Sequence, residues 1–322
     1  MKRVYLLSLA AFAADAEEMG FDIPLAQVET AYTTTAYILN DRNNEAIYNA
    51  TATLEYCVDN GHPLAALLLM DVYEGKRRGL PAQPTKAESL ARRLASGEQR
   101  LNSEHPQAIS ARLESMYRYA LYCEKGIGRV KSEHDAYEWM LKASNSGYGK
   151  ARVELARYLI TGKGGHKNPK TALKLLKAQA GIDATVPKLF FYMGHIYLSG
   201  AGLRKPNYER AFRYFSYGMQ FNDADAINNL ATMYERGIGT EKDELTALRL
   251  YKKAANLGCK EASANMQRLG YQKSGHELPT PDSVRIDNAA MQVIEALPLP
   301  QKMRRAMTEP LRRHSREILK PL

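Results

Sequence analysis

The sequence is poor in the residues that most often announce chemistry. Its 322 residues include three cysteines, Cys57, Cys123 and Cys259, and one tryptophan, Trp139. The cysteines are far apart and none belongs to a Cys-x-x-Cys pair, which argues against a disulfide framework or a zinc site. All three sit among apolar residues and read as small core side chains. None of the histidines (His62, His105, His134, His166, His195, His276, His314) stands in a metal-ligand spacing. There is no Gly-x-Ser-x-Gly elbow, and no cysteine has a histidine at catalytic spacing. No apolar run approaches the roughly 20 residues that a membrane-spanning helix needs. The resulting expectation is a non-enzymatic protein with no cofactor and no transmembrane segment.

What is present is ordinary in bulk and uneven in detail. Apolar residues make up 45% and charged residues 25%, as in many soluble domains. The formal net charge is +10, and residues 298–322 carry half of it, with seven Lys or Arg against two Glu. Such an excess favours anionic partners. The opening "MKRVYLLSLAAFAADAEEMG" imitates a signal peptide, with Ala14-Asp15-Ala16 as the cleavage site. The competing reading is a first helix that ends at Gly20.

The stretch "LITGKGGHKNPKTALKLL" (159–176) raises the question of a phosphate-binding loop. A P-loop needs G-x-x-x-x-G-K-[ST] after a strand, whereas Lys170-Thr171 follows Pro169 and the residues before the loop read as a helix. The loop also recurs. "EKGIGRVKSEHDAYEWM" (124–140), "LSGAGLRKPNYERAFRYF" (198–215) and "ERGIGTEKDELTALRLY" (235–251) share its Gly-x-Gly, polar segment and alanine. The first glycines, Gly126, Gly162, Gly200 and Gly237, are spaced 36, 38 and 37 residues apart. The alanines, Ala136, Ala172, Ala211 and Ala247, are spaced 36, 39 and 36, each followed three residues later by Trp139, Leu175, Tyr214 or Leu250. Upstream, Ser115/Tyr119/Ala120/Cys123, Ala151/Leu155/Ala156/Leu159, Leu189/Met193/Gly194/Tyr197 and Ala226/Leu230/Ala231/Tyr234 fill slots on one helical face. Each unit is therefore a helix A, a glycine turn and a helix B. A glycine that ends a helix in the left-handed conformation explains the loop without a phosphate.

"AINNLATMYERGIGTEKDELTALRLYKKAANLGCKEA" (226–262) resembles the Sel-one-like repeat, a branch of the tetratricopeptide-like solenoids. The resemblance implies an all-α, right-handed α-solenoid of about six helix pairs, with helix A lining a concave groove. It also implies a bacterial interaction scaffold, because the family is implicated in assembling secretion, envelope and signalling complexes. Counted from the first slot of helix A, offsets +2, +3 and +6 point away from the buried stripe. They hold Tyr117, Arg118 and Leu121, then Val153, Glu154 and Arg157, then Phe191, Tyr192 and His195, then Asn228, Asn229 and Thr232. From these, Tyr117, Arg118, Arg157, Tyr192, His195, Asn228 and Asn229 form the candidate groove. The expected partner is a protein or peptide whose acidic or C-terminal carboxylate end is gripped by Arg118 and Arg157. Truncating Arg157 is expected to leave stability unchanged. Some cysteine-rich relatives are linked to β-lactam binding, which supplies a hydrolase alternative. This chain lacks their paired cysteines.

Residues 1–111 read as degenerate helical repeats, 112–269 as the repeats proper, 270–297 as a linker and capping helix, and 298–322 as a basic tail. In the capping segment Ile286, Ala290, Val293, Ile294 and Leu297 share a stripe. Residues 96–110 interrupt the period and read as a longer loop or irregular helix. Arg304, Arg305, Arg312, Arg313 and Arg316 of the tail suit nucleic acid or an acidic lipid surface as an alternative partner. The unpaired cysteines and the helix-like start favour the cytoplasm, and the periplasm follows if residues 1–16 are a signal peptide.

Overall fold

The computed structural model describes residues 25–38, 44–76 and 80–269. The expected helix ending at Gly20, the capping segment 283–297 and the basic tail with its five arginines lie outside the described residues. Among those described there are thirteen α-helices and no strand. They are α1 (Leu25–Ile38), α2 (Asn44–Asp59), α3 (Pro63–Tyr73), α4 (Pro84–Ser96), α5 (Ala108–Lys125), α6 (Glu133–Asn145) and α7 (Gly149–Thr161). There follow α8 (Pro169–Ile182), α9 (Leu189–Ser199), α10 (Tyr208–Gln220), α11 (Ala224–Arg236), α12 (Glu244–Asn256) and α13 (Lys260–Arg268). In chain order they make six pairs and a final single helix.

The chain divides into two compact units, Met1–Lys167 and Asn168–Leu322. In the first, α3 packs on α4 and α5, and α6 lies between α5 and α7. In the second, α9 packs on α8, α10 and α11, and α12 packs on α11 and α13. In each unit a helix A thus packs on its own helix B and on the next helix A, as α3 and α9 do. The irregular stretch after α4 is a loop, residues 97–107, held by the amide of Asn102 donating to the Gly61 carbonyl (2.9 Å).

Local sequence explains the boundaries at the turn of each of the four repeats. Ser132, Asn168, Asn207 and Asp243 each stand four residues before a repeat alanine and accept from the amide of Asp135, Thr171, Arg210 or Thr246. The polar segment before helix B thus ends in an N-cap, which satisfies an amide the helix itself cannot. The first glycine of each turn closes helix A: Gly162 has φ +82° and donates to the Tyr158 carbonyl (2.7 Å).

The second glycine has a different task. Gly128, Gly164, Gly202 and Gly239 all have positive φ, and each lies against the start of the preceding helix B. A methyl at Gly164 would come 2.0 Å from the Glu133 carbonyl oxygen, and one at Gly128 would come 2.2 Å from that of Pro84. Only a residue without Cβ lets the turn reach that backbone.

The slot alanines are fully buried: Ala120, Ala136, Ala156, Ala172, Ala211, Ala231 and Ala247 each show 0% exposure. The bulky positions need correcting. Of the residues three after the alanine only Leu250 is buried, whereas those four after it, Met140, Leu176, Phe215 and Tyr251, are fully enclosed. Helix A likewise buries a position outside the expected stripe, occupied by Tyr122, Tyr158, Ile196 and Met233. Each large side chain removed from water there contributes about 2 kcal/mol.

Gly164→Ala is expected to cost at least ~2 kcal/mol in urea unfolding, because it combines a left-handed φ with a backbone collision. Gly147→Ala, at φ +93° with nothing within 4 Å of the new methyl, isolates the conformational part and is expected to cost only about 1 kcal/mol.

Candidate partner-binding surface

The outward residues of the first unit are in place, but their charges are already used. Arg118 on α5 donates to Asp71 of α3 (2.6 Å), to Glu114 one turn back (2.9 Å) and to Glu74 (3.4 Å). The Tyr122 hydroxyl donates to Glu74 and the Tyr148 hydroxyl to Glu114, while Lys76 and Lys150 complete the cluster. Burial raises the proton affinity of Asp71 and Glu114, but Arg118, joined at Glu114 by Tyr148, outweighs it and holds both below their ordinary values.

Arg157 is engaged in the same way. Its Nη2 donates to both oxygens of Glu124 (2.8 Å each) and its Nε to Glu154. Glu124, 8% exposed, also accepts from the Tyr158 hydroxyl (2.8 Å) and from Lys163. Burial works against its ionised form, yet Lys163, Arg157 and Tyr158 hold the carboxyl down at about 2. Val153, expected to face outward, is 2% exposed and belongs to the core. Offset +2 lies on the border of the buried face, where a β-branched apolar side chain packs inward.

Between the two clusters lies Tyr117, whose ring is 5.7 Å from that of Tyr148. With Arg118 and Leu121 it lines a cavity of about 390 Å3 that also takes in Tyr73, Pro84, Tyr122 and Ile127. Of the charged groups that line it, Glu74, Lys76, Glu114 and Arg118 bond to one another or to neighbouring side chains of the same unit, and Lys125 lines it as an exposed cation.

The second unit presents a wall of another kind. On α9, Phe191 packs against Tyr192 (5.1 Å between centroids) and His195 (6.3 Å), and His195 is exposed. On α11, Asn228 and Asn229 are half-buried, and the Asn228 side-chain oxygen accepts from Asn265 of α13 (3.1 Å). Thr232 bonds the Tyr251 hydroxyl (2.9 Å). Here the outward positions are aromatic rings, an imidazole and amides.

The sequence around each arginine does not reveal its acidic partner on another helix. Arg157 to Glu124 and Arg268 to Glu235 (2.7 Å) are the same pair one repeat apart in each unit, across 33 residues. Both glutamates stand two residues before the first turn glycine, and that recurrence is the available signal.

The Sel1 repeat family model matches residues 113–148, 149–178, 191–217 and 224–259. The chain carries four Sel1 repeats. A Sel1 repeat protein from Oxalobacter formigenes shares 21% identity and superposes with a TM-score of 0.56 over 88% of this chain and 96% of its own. At that identity the likeness shows the fold. The c5321 antigen of uropathogenic Escherichia coli, with an SLR fold, gives 15% identity and a TM-score of 0.44 over 85% of this chain and 65% of its own. The immunity protein Pa5087 of Pseudomonas aeruginosa gives the same two values over 75% and 86%. No curated protein matches the Sel1-repeat chain.

Because Arg157 is a partner of a buried carboxylate, the expectation that its loss leaves stability unchanged is corrected. Arg157→Ala is expected to cost ~1–3 kcal/mol in urea unfolding, since Glu124 keeps only Lys163 and Tyr158. A depressed carboxyl contributes stability that is complete above its unfolded value and lost as pH falls through the folded one. The stability gap between wild type and Glu124→Gln should therefore narrow from about pH 5 toward about pH 2.

Proposed function

We propose that this Sel1-repeat protein is a non-enzymatic scaffold that seats an apolar or aromatic side chain of a partner protein in the cavity of its first unit. Sel1-repeat proteins are generally protein-interaction scaffolds, and the cavity is the observation that carries the finer reading. A space of about 390 Å3 accommodates one large side chain with its neighbours. Tyr73, Tyr117, Leu121, Tyr122 and Ile127 offer it ring faces and methyl groups, the contacts that dominate hot spots. The arginines already hold carboxylates, so a partner's acidic end would have to displace Asp71, Glu114 or Glu124 and leave a charge unpaired. That favours an apolar anchor over the carboxylate grip expected from sequence. The cysteines support a role without covalent chemistry: burial pushes the Cys57 thiol up to about 12 and raises those of Cys123 and Cys259, so no reactive thiolate is at hand. Residence in the cytoplasm is part of this reading and rests on three free, unpaired thiols.

The test is site-specific photo-crosslinking in cells. A photoreactive phenylalanine at position 121 is expected to trap a partner, and the same probe at Lys142, exposed on helix α6, is not. Leu121→Glu should weaken recovery of that partner about tenfold, on the order of 1–2 kcal/mol, with unfolding unchanged. Equal trapping from both positions would overturn the assignment.

A further inference from the structure

Away from the partner-binding surface, three sequence-distant segments converge on one carboxylate. Glu29 comes from α1, His62 immediately precedes α3, and His105 belongs to the loop between α4 and α5. His62 is the N-cap of α3: its Nδ1 accepts from the Ala65 amide at 3.1 Å. A backbone N–H can only donate, so Nδ1 carries the lone pair and the ring proton is on Nε2. That atom lies 2.8 Å from Glu29 Oε2 and donates to it. His105 repeats the arrangement. Its Nδ1 accepts from the Gln107 amide (3.2 Å), and its Nε2 faces the same Glu29 oxygen at 3.9 Å. The imidazoles are 5.3 Å apart, Tyr32 lies against His62 at 4.4 Å, and His62 is 3% exposed.

We propose that Glu29, His62 and His105 form a proton-sensitive latch tying α1 to the first turn of α3. The latch is closed when His62 is neutral. A proton added to His62 can go only to Nδ1, where the new N–H meets the Ala65 amide donor to donor and the cap is lost. The groups that bear on its titration are Glu29 on α1, which favours the charged form, and His105 on the loop, which opposes it. Cys57 of α2, also reached by Glu29, keeps its proton, with its thiol pushed up to about 12. Burial outweighs Glu29, so His62 binds a proton less readily than a free imidazole. Opening the latch therefore takes up a proton. The latch is fully effective above the ordinary imidazole value, about 6.5, and weakens as pH falls below it. The same tautomers disfavour a metal ion in this cluster of two histidines and a glutamate. Metal on either Nε2 would send the proton to Nδ1, against a backbone N–H.

The experiment is hydrogen exchange by mass spectrometry on the full chain, corrected for intrinsic rates, at about pH 7.5 and about pH 5.5. Protection of α1 and of the first turn of α3 should fall up to about tenfold in the wild type, the limit for one proton over the interval below the free value. In His62→Asn, whose amide oxygen caps without titrating, protection should not change with pH. An equal fall in both proteins, or none in the wild type, would overturn the latch. Protection raised by micromolar zinc at the higher pH would also overturn it, in favour of a metal site. Nitrogen NMR of the wild type gives a check independent of the variant's folding: at neutral pH His62 must show a protonated Nε2, and a protonated Nδ1 would refute the assignment.

Discussion

The stacking of this protein depends on a missing atom. At the second glycine of each turn, the chain passes so close to the start of the preceding helix B that a Cβ would lie inside the backbone of Pro84, Glu133, Lys170 or Tyr208. That contact sets how near one repeat comes to the next, and the other short distances in each unit follow from it. Slot alanines can be fully buried because the neighbouring helix is close enough to enclose them. Helices A can then stand side by side, which brings a residue of one repeat within hydrogen-bond reach of a residue 33 positions away. The glycines that invite comparison with a phosphate loop serve the fold: the first ends helix A in the left-handed conformation, and the second lies against the start of the preceding helix B.

Close stacking also governs the electrostatics of the wall. A carboxylate such as Glu124, lodged between two helices A, is tolerable only when several donors converge on it. Arg157, Lys163 and Tyr158 supply them. The guanidinium that a sequence count presents as an open cation is thus the closing piece of a neutral network. Two walls of different character result. In the first unit the ion pairs frame an apolar cavity, and in the second the outward positions carry rings and amides that need no counter-charge.

Much of the fold was legible because a solenoid writes its period into the sequence. Glycine pairs, slot alanines and the spacing of 36 to 39 residues identified the helices and turns, and the structure places the alanines at the core. Less was legible wherever the answer depended on a neighbouring repeat. The 100° rule describes one isolated helix, but helix A is enclosed from two sides, so Val153, Tyr122 and Tyr158 are buried where a single stripe left them at the margin. Arg118 and Arg157 were found as wall residues, while their partners Asp71 and Glu124 were not. Nothing local to an arginine records a carboxylate on another helix.

The latch and the cavity share one element. Helix α3 is capped by His62 at its start, and at its end it supplies Tyr73 and, just beyond, Glu74 to the cavity. Its eleven residues span about 16 Å. Loss of a cap acts on the first turn and fades within it, and the middle of α3 is fixed by Ala66, Leu69, Met70 and Val72, all at most 2% exposed. Fraying at His62 therefore stops before it reaches the cavity. A proton at the latch can influence the partner site only by moving α3 as a rigid body, and Asp71, bonded to Arg118 of the next helix A, resists that movement. Two sites one helix apart are in this way held nearly independent by the packing between them.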